Sequence, residues 1–301
     1  MLNASPKRAT RAELYAALDE YLAALAAHDP ARCRWTDRLA HTENNVALPV
    51  GEGLWGTVTE LGSYDLRFAD LQTGQVGLFG CVLETRDLSP LTIRLKVDCG
   101  RISEVETIVV RAADSGLRLP DPTFIDKPAL KEPLQPSQRV PRERMISLAD
   151  GYFDTLQLND GVLFTRIHPD CMRVENGVRT THNPALTLTA VAGLGCEEQL
   201  RLGYYRYDDR LRARRYEIVD EERGLVLAAA FIDHCGRLGR YRLTDGTEVD
   251  SPVRRPHSFY VLELFKISDG AIAQIEANFI TVPYAMPSPW DDRCSRGADA
   301  G

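Results

Sequence analysis

The sequence predicts an α+β protein built from two tandem units, each made of helices set against a curved antiparallel sheet, with the units packed as a pseudo-dimer. Three observations lead there: a pattern that occurs twice along the chain, strands that are apolar on both parities, and a proline-crowded stretch between the two copies.

Each half opens on an amphipathic helix. Leu14, Leu18, Leu22 and Leu25, with Tyr15 and Tyr21, fall at helical spacing in the first. Met145, Leu148, Ala149, Tyr152, Phe153 and Leu156 do so in the second. The run Thr42-Glu43-Asn44-Asn45-Val46 then returns as Val174-Glu175-Asn176-Gly177-Val178. Two strand signals follow, Tyr64–Asp70 with Gly74–Leu78 and Tyr216–Asp220 with Gly224–Val226. Both halves close on one hairpin pattern, Lys96–Glu106 and Lys266–Glu276, whose Cys99-Gly100 and Asp269-Gly270 pairs suit a tight turn at positive φ. In the strand from His257 to Lys266, one parity carries Phe259, Val261 and Phe265, and the other carries Tyr260, Leu262 and Leu264. A sheet with one wet face would alternate, so both faces here must be covered: one by helices, the other by the sheet of the other unit.

Prolines 120, 122, 128, 133, 136 and 141 mark the linker. The units are therefore residues 1–117 and 142–290, joined by a Pro-rich linker over 118–141 and followed by a disordered tail over 291–301. The second unit is expected to be the active one, because the first has Ile93 and Arg94 where the second has Glu263 and Leu264.

Composition narrows the function classes. The chain has 301 residues, 26% of them charged and 44% hydrophobic, which excludes a fibrous or disordered protein. A net charge of −7 argues against general binding to nucleic acid or to anionic membranes. The N-terminus has no apolar leader pattern, and no stretch approaches 18 uncharged apolar residues. Seven scattered cysteines without a CxxC pair read as reduced thiols, and the expected compartment is the cytoplasm.

The order of helix, Glu-Asn turn, second helix and long meander resembles the nuclear transport factor two-like (SnoaL-like) cone fold. The closing Lys-[Val/Ile]-x-x-Gly-x-Ile-x-x-[Val/Ile]-Glu pattern strengthens the likeness. More closely, the chain is similar to a tandem family of that superfamily, largely without assigned function. The matching segments are Thr42–Asn44, Gly51–Thr57, Glu175–Val178, Val219–Val226, Glu263–Ile267 and Val282–Trp290. The resemblance implies two cone-shaped units and a ligand cavity. The superfamily spans dehydratases, isomerases, epoxide hydrolases, aldol cyclases, cofactor-free lyases and cavities that do no chemistry, so the likeness speaks for fold more than for reaction. Some of its members release formaldehyde from lignin-derived diarylpropanoids.

Several motifs invite a sharper reading. Gly51-Glu52-Gly53-Leu54-Trp55-Gly56 spells GxGxxG, but no βαβ pattern surrounds it, so it reads as a loop carrying Trp55 toward a cavity. No HxH, HxxxH or CxxC spacing supports a metal, and no cofactor is expected. Arg206, Arg210, Arg212, Arg214 and Arg215 follow Glu197 and Glu198 and read as a solvated helix end or a substrate clamp. Glu263 lies inside an apolar strand. Desolvation there either raises its pKa into the range useful for proton transfer or is answered by an ion pair with Arg94 or Lys266. His257, on the same strand face, and His182 are its candidate partners, against an ordinary hydrogen-bonded role for each. Glu175 and Asn176 read as a turn shared by both copies or as ligand contacts. Trp55, Tyr204, Tyr205, Tyr284 and Trp290 are candidate walls for an aromatic ligand.

The functional expectation is a cofactor-independent lyase, dehydratase or isomerase. It would transfer protons on a small hydrophobic, aromatic molecule, lignin-derived or polyketide-like, with Glu263, His182 or His257 as base and a Tyr or Arg steadying the anion formed. The alternative is a protein that binds such a molecule without changing it. No nucleic-acid or membrane partner is expected; homo-oligomerisation stays open.

Overall fold

The computed structural model describes residues 8–114, 122–124, 127–187 and 189–291. The first half contains α1 (Arg11–Ala26), β1 (Trp35–Glu43), β2 (Val46–Ala47), α2 (Leu54–Thr57), β3 (Val58–Asp70), β4 (Gln75–Glu84), β5 (Asp87–Asp98) and β6 (Arg101–Val109). After α3 (Pro128–Lys131), the second half runs through α4 (Arg142–Leu158), β7 (Ile167–Glu175), β8 (Val178–Arg179), α5 (Cys196–Arg201), β9 (Arg210–Asp220) and β10 (Leu225–His234). It continues with β11 (Arg240–Arg242), β12 (Glu248–Asp250), β13 (His257–Ser268) and β14 (Ala271–Val282).

The repetition read from the sequence is present in three dimensions. One sheet has the strand order β2-β1-β6-β5-β4-β3 and the other β8-β7-β14-β13-β10-β9, the same order in matched strands. Helix α1 starts at a capping box: Thr10 Oγ1 accepts from Glu13 N–H while the Glu13 carboxylate accepts from Thr10 N–H. Both hairpin turns hold two residues at positive φ, Cys99-Gly100 and Asp269-Gly270. Gly74 and Gly224 are likewise matched. Each lies at positive φ, and an added Cβ would press on a backbone carbonyl, of Val97 and of Ile267 respectively.

Two expectations need correction. The sheets are mixed rather than antiparallel, because β1 runs parallel to β6 and β7 parallel to β14. The two strands of each parallel pair lie far apart in the chain, not on one hairpin, and such a long connection permits either direction. The arginine run is also not a helix end, since α5 stops at Arg201 and Arg210–Arg215 lie on β9, paired with β10. Leu200, Tyr204, Tyr207 and Leu211 keep helical spacing by coincidence; sheet pairing decides the backbone from Arg210 onward.

Three apolar layers result. α1 packs on one face of the first sheet and α4 on one face of the second. Between the sheets lies a third cluster, with Leu66, Phe68 and Phe79 from the first half against Leu227, Phe231, Tyr260, Leu262 and Leu264 from the second. The two parities of β13 therefore face different layers, as its sequence predicts. Polar exchanges cross the same boundary in matched form. Arg11 on α1 holds Asp220 of the second half, and Arg142 on α4 holds Asp70 of the first, each at 2.5 Å. Asp70 also accepts from Val219 N–H and Asp220 from Ala69 N–H, each at 3.1 Å. This reciprocity is that of an isologous dimer interface.

The first helix of the second half, α4, starts at Arg142. The linker holds one helical turn, α3, and a 3-10 turn over Pro136–Gln138; its residues 118–121, 125 and 126, and the tail after 291, lie outside the described residues. Among the described residues no helix is long and apolar enough to cross a membrane. The described cysteines are all free.

Candidate functional site

The helix-side face of the second sheet does not close on α4 along its whole length. A cavity of about 620 Å³ remains, walled below by β10, β13, β14 and β7 and above by the segments around α5 and the β11–β12 hairpin. Its floor reads directly from the strand register. On β13, His257, Phe259, Val261 and Glu263 line it, beside Ile232 and His234 of β10 and Ala277, Phe279 and Thr281 of β14. At about 3.3 Å per residue, Glu263 and His257 stand roughly 20 Å apart, so the cavity is long.

The inner end is built around a carboxyl and a guanidinium. Glu263 is buried beside α4, and burial above all, helped by the nearby charge of Glu175, lifts its pKa to about 8 against the opposing pull of Arg173. Near neutral pH it is a protonated acid. Neither Arg94 nor Lys266 answers it, which removes the ion-pair reading. Arg94 lies in the layer between the sheets with Glu106 and Glu104, and Lys266 donates to the carbonyls of Glu132 and Arg223. Arg173, also buried, donates to Gln199 Oε1 at 2.6 Å, Thr180 Oγ1 at 3.2 Å, and the hydroxyls of Tyr205 at 2.5 Å and Tyr152 at 3.3 Å. Glu175 lies 3.3 Å from Arg173 Nε. Such a fully engaged guanidinium is held in one orientation.

The outer end is built around imidazoles. His234 Nε2 lies 3.0 Å from Asp208 Oδ1, both side chains buried, and burial raises the Asp208 pKa. Nε2–H donates to that carboxylate, and no described residue bonds to Nδ1. The His257 ring stacks on His234 with centroids 4.6 Å apart, and Phe259 meets both rings edge-on. His257 Nδ1 donates to the Arg255 carbonyl at 3.0 Å, and burial lowers the His257 pKa. Tyr204, Tyr205 and Tyr207 pack edge to face on the cavity wall, the Tyr207 ring stacking on His234 with centroids 6.1 Å apart.

The structure thus brings Glu263, His257, Glu175, Tyr204 and Tyr205 to one cavity and leaves the other predicted residues elsewhere. His182 is exposed and packs against Gly195, off the cavity wall, because its loop turns outward at positive φ. Asn176 is buried in a backbone clamp, donating to Phe279 C=O at 3.1 Å and accepting from Phe279 N–H at 2.9 Å. Asn44 clamps Val109 with the same two distances, so the amide serves the turn in both copies. Trp55 is buried in the first-half core against Tyr21. Trp290 is buried under Arg94 and Arg215, and Tyr284 is 43% exposed at the surface.

Sequence reasoning missed Arg173, Asp208, His234 and Tyr207. His234 had a usable signal: counted from the matched glycines Gly224 and Gly74, it ends its strand where Glu84 ends the other. Asp208 had none, because only the fold carries that turn to His234. Among the described residues no group of three His, Cys, Asp or Glu side chains is placed to hold a metal ion.

A family described as a domain of unknown function (DUF8021) matches residues 138–279, the half that holds the cavity. No curated protein matches the chain. Among solved structures, one similar chain is a protein of unknown function with a cystatin-like fold from Methylobium petroleophilum PM1, at 14% identity and a TM-score of 0.31, over 40% of this chain and 86% of that one. Another is a de novo designed protein with a curved β-sheet, at 14% identity and a TM-score of 0.29, over 34% of this chain and 88% of that one. A third is AclR, a putative hydroxylase from Streptomyces galilaeus, at 17% identity and a TM-score of 0.23, over 38% and 90%.

Proposed function

We propose that the second half is the active half of an enzyme that moves protons on a small aromatic molecule with its own acid and base groups, giving lyase, dehydratase or isomerase chemistry. The observation that carries this reading is Glu263: a carboxyl with a pKa of about 8, at the closed end of a cavity, beside a fixed guanidinium. A general acid or base works best when its pKa lies near the working pH. Arg173 and the Tyr152 and Tyr205 hydroxyls stand where an enolate or phenolate formed by proton removal would be steadied. The stacked imidazoles, Phe259 and the tyrosine wall make flat apolar surfaces suited to a ring system. The matched halves, each with an N-terminal helix over a six-stranded sheet, support the nuclear transport factor two-like reading of the fold.

The test begins with a thermal-shift screen of phenolic and polycyclic compounds, followed by mass spectrometry of each binder. A substrate saturating at 100 times its Kd adds about 2.7 kcal/mol of stability. Glu263→Gln is expected to lower kcat by about a hundredfold or more while binding persists. His234→Gln and Asp208→Asn are expected to act mainly on KM. Binders returned unchanged by the wild type would make the protein a carrier. Turnover within twofold in Glu263→Gln, with loss in His234→Gln, would move the chemistry to the outer end.

A further inference from the structure

Two connections are lengthened equally in the second half: residues 180–209 against 48–57 ahead of β9 and β3, and the one that follows β10. Residues 85–86 join β4 to β5, whereas residues 235–256 join β10 to β13 and carry the β11–β12 hairpin. Tyr241 and Leu243 of that hairpin pack on Tyr204, with the Tyr241 hydroxyl donating to the Tyr204 carbonyl, so the insertion is anchored over the outer end of the cavity. Its return leg, Pro252 to Arg255, forms part of the cavity wall.

Charge at that wall is unbalanced. The neighbouring arginines are all engaged: Arg206 with the Asn159 carbonyl, Arg210 and Arg212 with Asp233, Arg237 with Cys235, Arg240 with Asp250 and Arg242 with Glu248. Arg254 and Arg255 line the cavity, and neither side chain has an ion pair or hydrogen bond among the described residues. The cavity's carboxyls are already answered. Glu175 faces Arg173, Asp208 faces His234, and Glu263 holds its own proton near neutrality. The mount beneath the two arginines is firm: the Arg255 carbonyl takes the His257 hydrogen bond, and the Arg255 backbone lies so close to Gly236 that a Cβ there would come within 2.8 Å.

We infer that the ligand of this cavity is an aromatic molecule bearing an oxyanion, a carboxylate or a phosphate, which Arg254 and Arg255 bind at the outer end. The inference rests on the second-half cavity being the ligand site and goes beyond it by fixing the charge and direction of the ligand. The apolar body lies along Phe259 and Val261, and the end remote from the anion reaches Glu263. Arginine suits this task because its planar fork matches a carboxylate or phosphate with two parallel hydrogen bonds.

The test uses the full chain and three probes that share one ring system: anthracene-2-carboxylate, its methyl ester and anthracen-2-yl phosphate, titrated by calorimetry at low and high salt. At least one anionic probe is expected to bind about tenfold or more tightly than the ester, with the advantage shrinking in high salt. The stronger of the two anions names the group. Arg254→Gln with Arg255→Gln is expected to abolish that advantage. Arg166→Gln, which removes an exposed charge away from the cavity, is expected to leave it intact. Equal binding of ester and acid, an advantage that survives the double variant, or no binding of either anion at millimolar concentration would overturn the inference. An acid that binds as expected but turns over equally in Glu263→Gln leaves the inference standing and sinks only the catalytic reading. A neutral substrate that is turned over does the reverse.

Discussion

The two halves share a strand order, a hairpin and an asparagine clamp, yet the place that is hollow in the second is solid in the first, whose own smaller pocket of about 300 Å³ lies between α1 and β3–β5. In the first, Trp55, delivered by α2, meets Tyr21 with ring centroids 5.4 Å apart and Trp35 at 6.4 Å, filling the place where the second half is open. Glu43, the match of Glu175, accepts the Leu54 N–H at 2.6 Å and pairs with Arg111, so its carboxylate serves the plug. Ile93 stands where Glu263 stands, and His41 where Arg173 stands. In the second half, Ala228, Ala230 and Ala277 keep the sheet face low beside Glu263, and Glu263, Arg173 and His234 line the cavity. One scaffold therefore supports a core or a site, and the choice rests on a few side chains.

That contrast can be broken at several points. The largest effect should come from Glu263. Its carboxyl is lifted from 4.5 to about 8, so the unfolded chain releases the proton first as pH rises. Stability should be intact below about pH 4.5, decline through the interval, and level off above about pH 8, a loss of roughly 4–5 kcal/mol. Glu263→Gln should remove that decline in urea titrations run across pH, whereas Ile93→Val should leave the pH profile unchanged; an unaltered profile in Glu263→Gln would mean the carboxyl is ionised and solvated. Emptying the solid half comes next. Trp55→Ala should cost about 4 kcal/mol in denaturant melts, and Phe259→Ala on the wall of the hollow half less than about 2 kcal/mol. Equal costs would show that the cavity is packed in solution.

The shared parts should respond alike. Asn44→Ala and Asn176→Ala each remove two backbone hydrogen bonds at a residue with positive φ, near 50° in both. Each should lose about 2 kcal/mol, and a large difference would tie one asparagine to the ligand. Filling the hollow half is the mildest change for folding. Ala277→Leu should leave the melting curve nearly in place and weaken any cavity ligand by about tenfold, near 1.4 kcal/mol. A ligand that binds Ala277→Leu as it binds the wild type lies elsewhere.

Much of this architecture was legible because it is periodic. Two-sided apolar strands such as His257–Lys266 announce a sandwich of layers, and repeated glycine turns announce two copies. Glu263 was legible for the same reason, as a charged residue in the wrong company. What could not be read depends on meetings between distant segments. Asp208 becomes significant only when a turn carries it to His234, and Arg173 only when Gln199 and Tyr205 close around it. Trp55 misled because its glycine-rich loop suggested a cavity wall, whereas a single helical turn and the Glu43 carboxylate fix it as a plug. His182 misled because residue type was all it offered; its backbone turns the ring away.

The reciprocal grip of Arg11 on Asp220 and Arg142 on Asp70 has a consequence for stoichiometry. Two solid halves, or two hollow halves, could in principle clasp each other through the same pair of contacts, since each half brings one arginine and one aspartate. As separate chains they would sort into a statistical mixture of pairs with no, one or two cavities. Joined by the linker, they meet at high effective concentration, and every molecule is assembled with one of each. Covalent fusion thus settles composition without any need for the interface to discriminate between like and unlike partners.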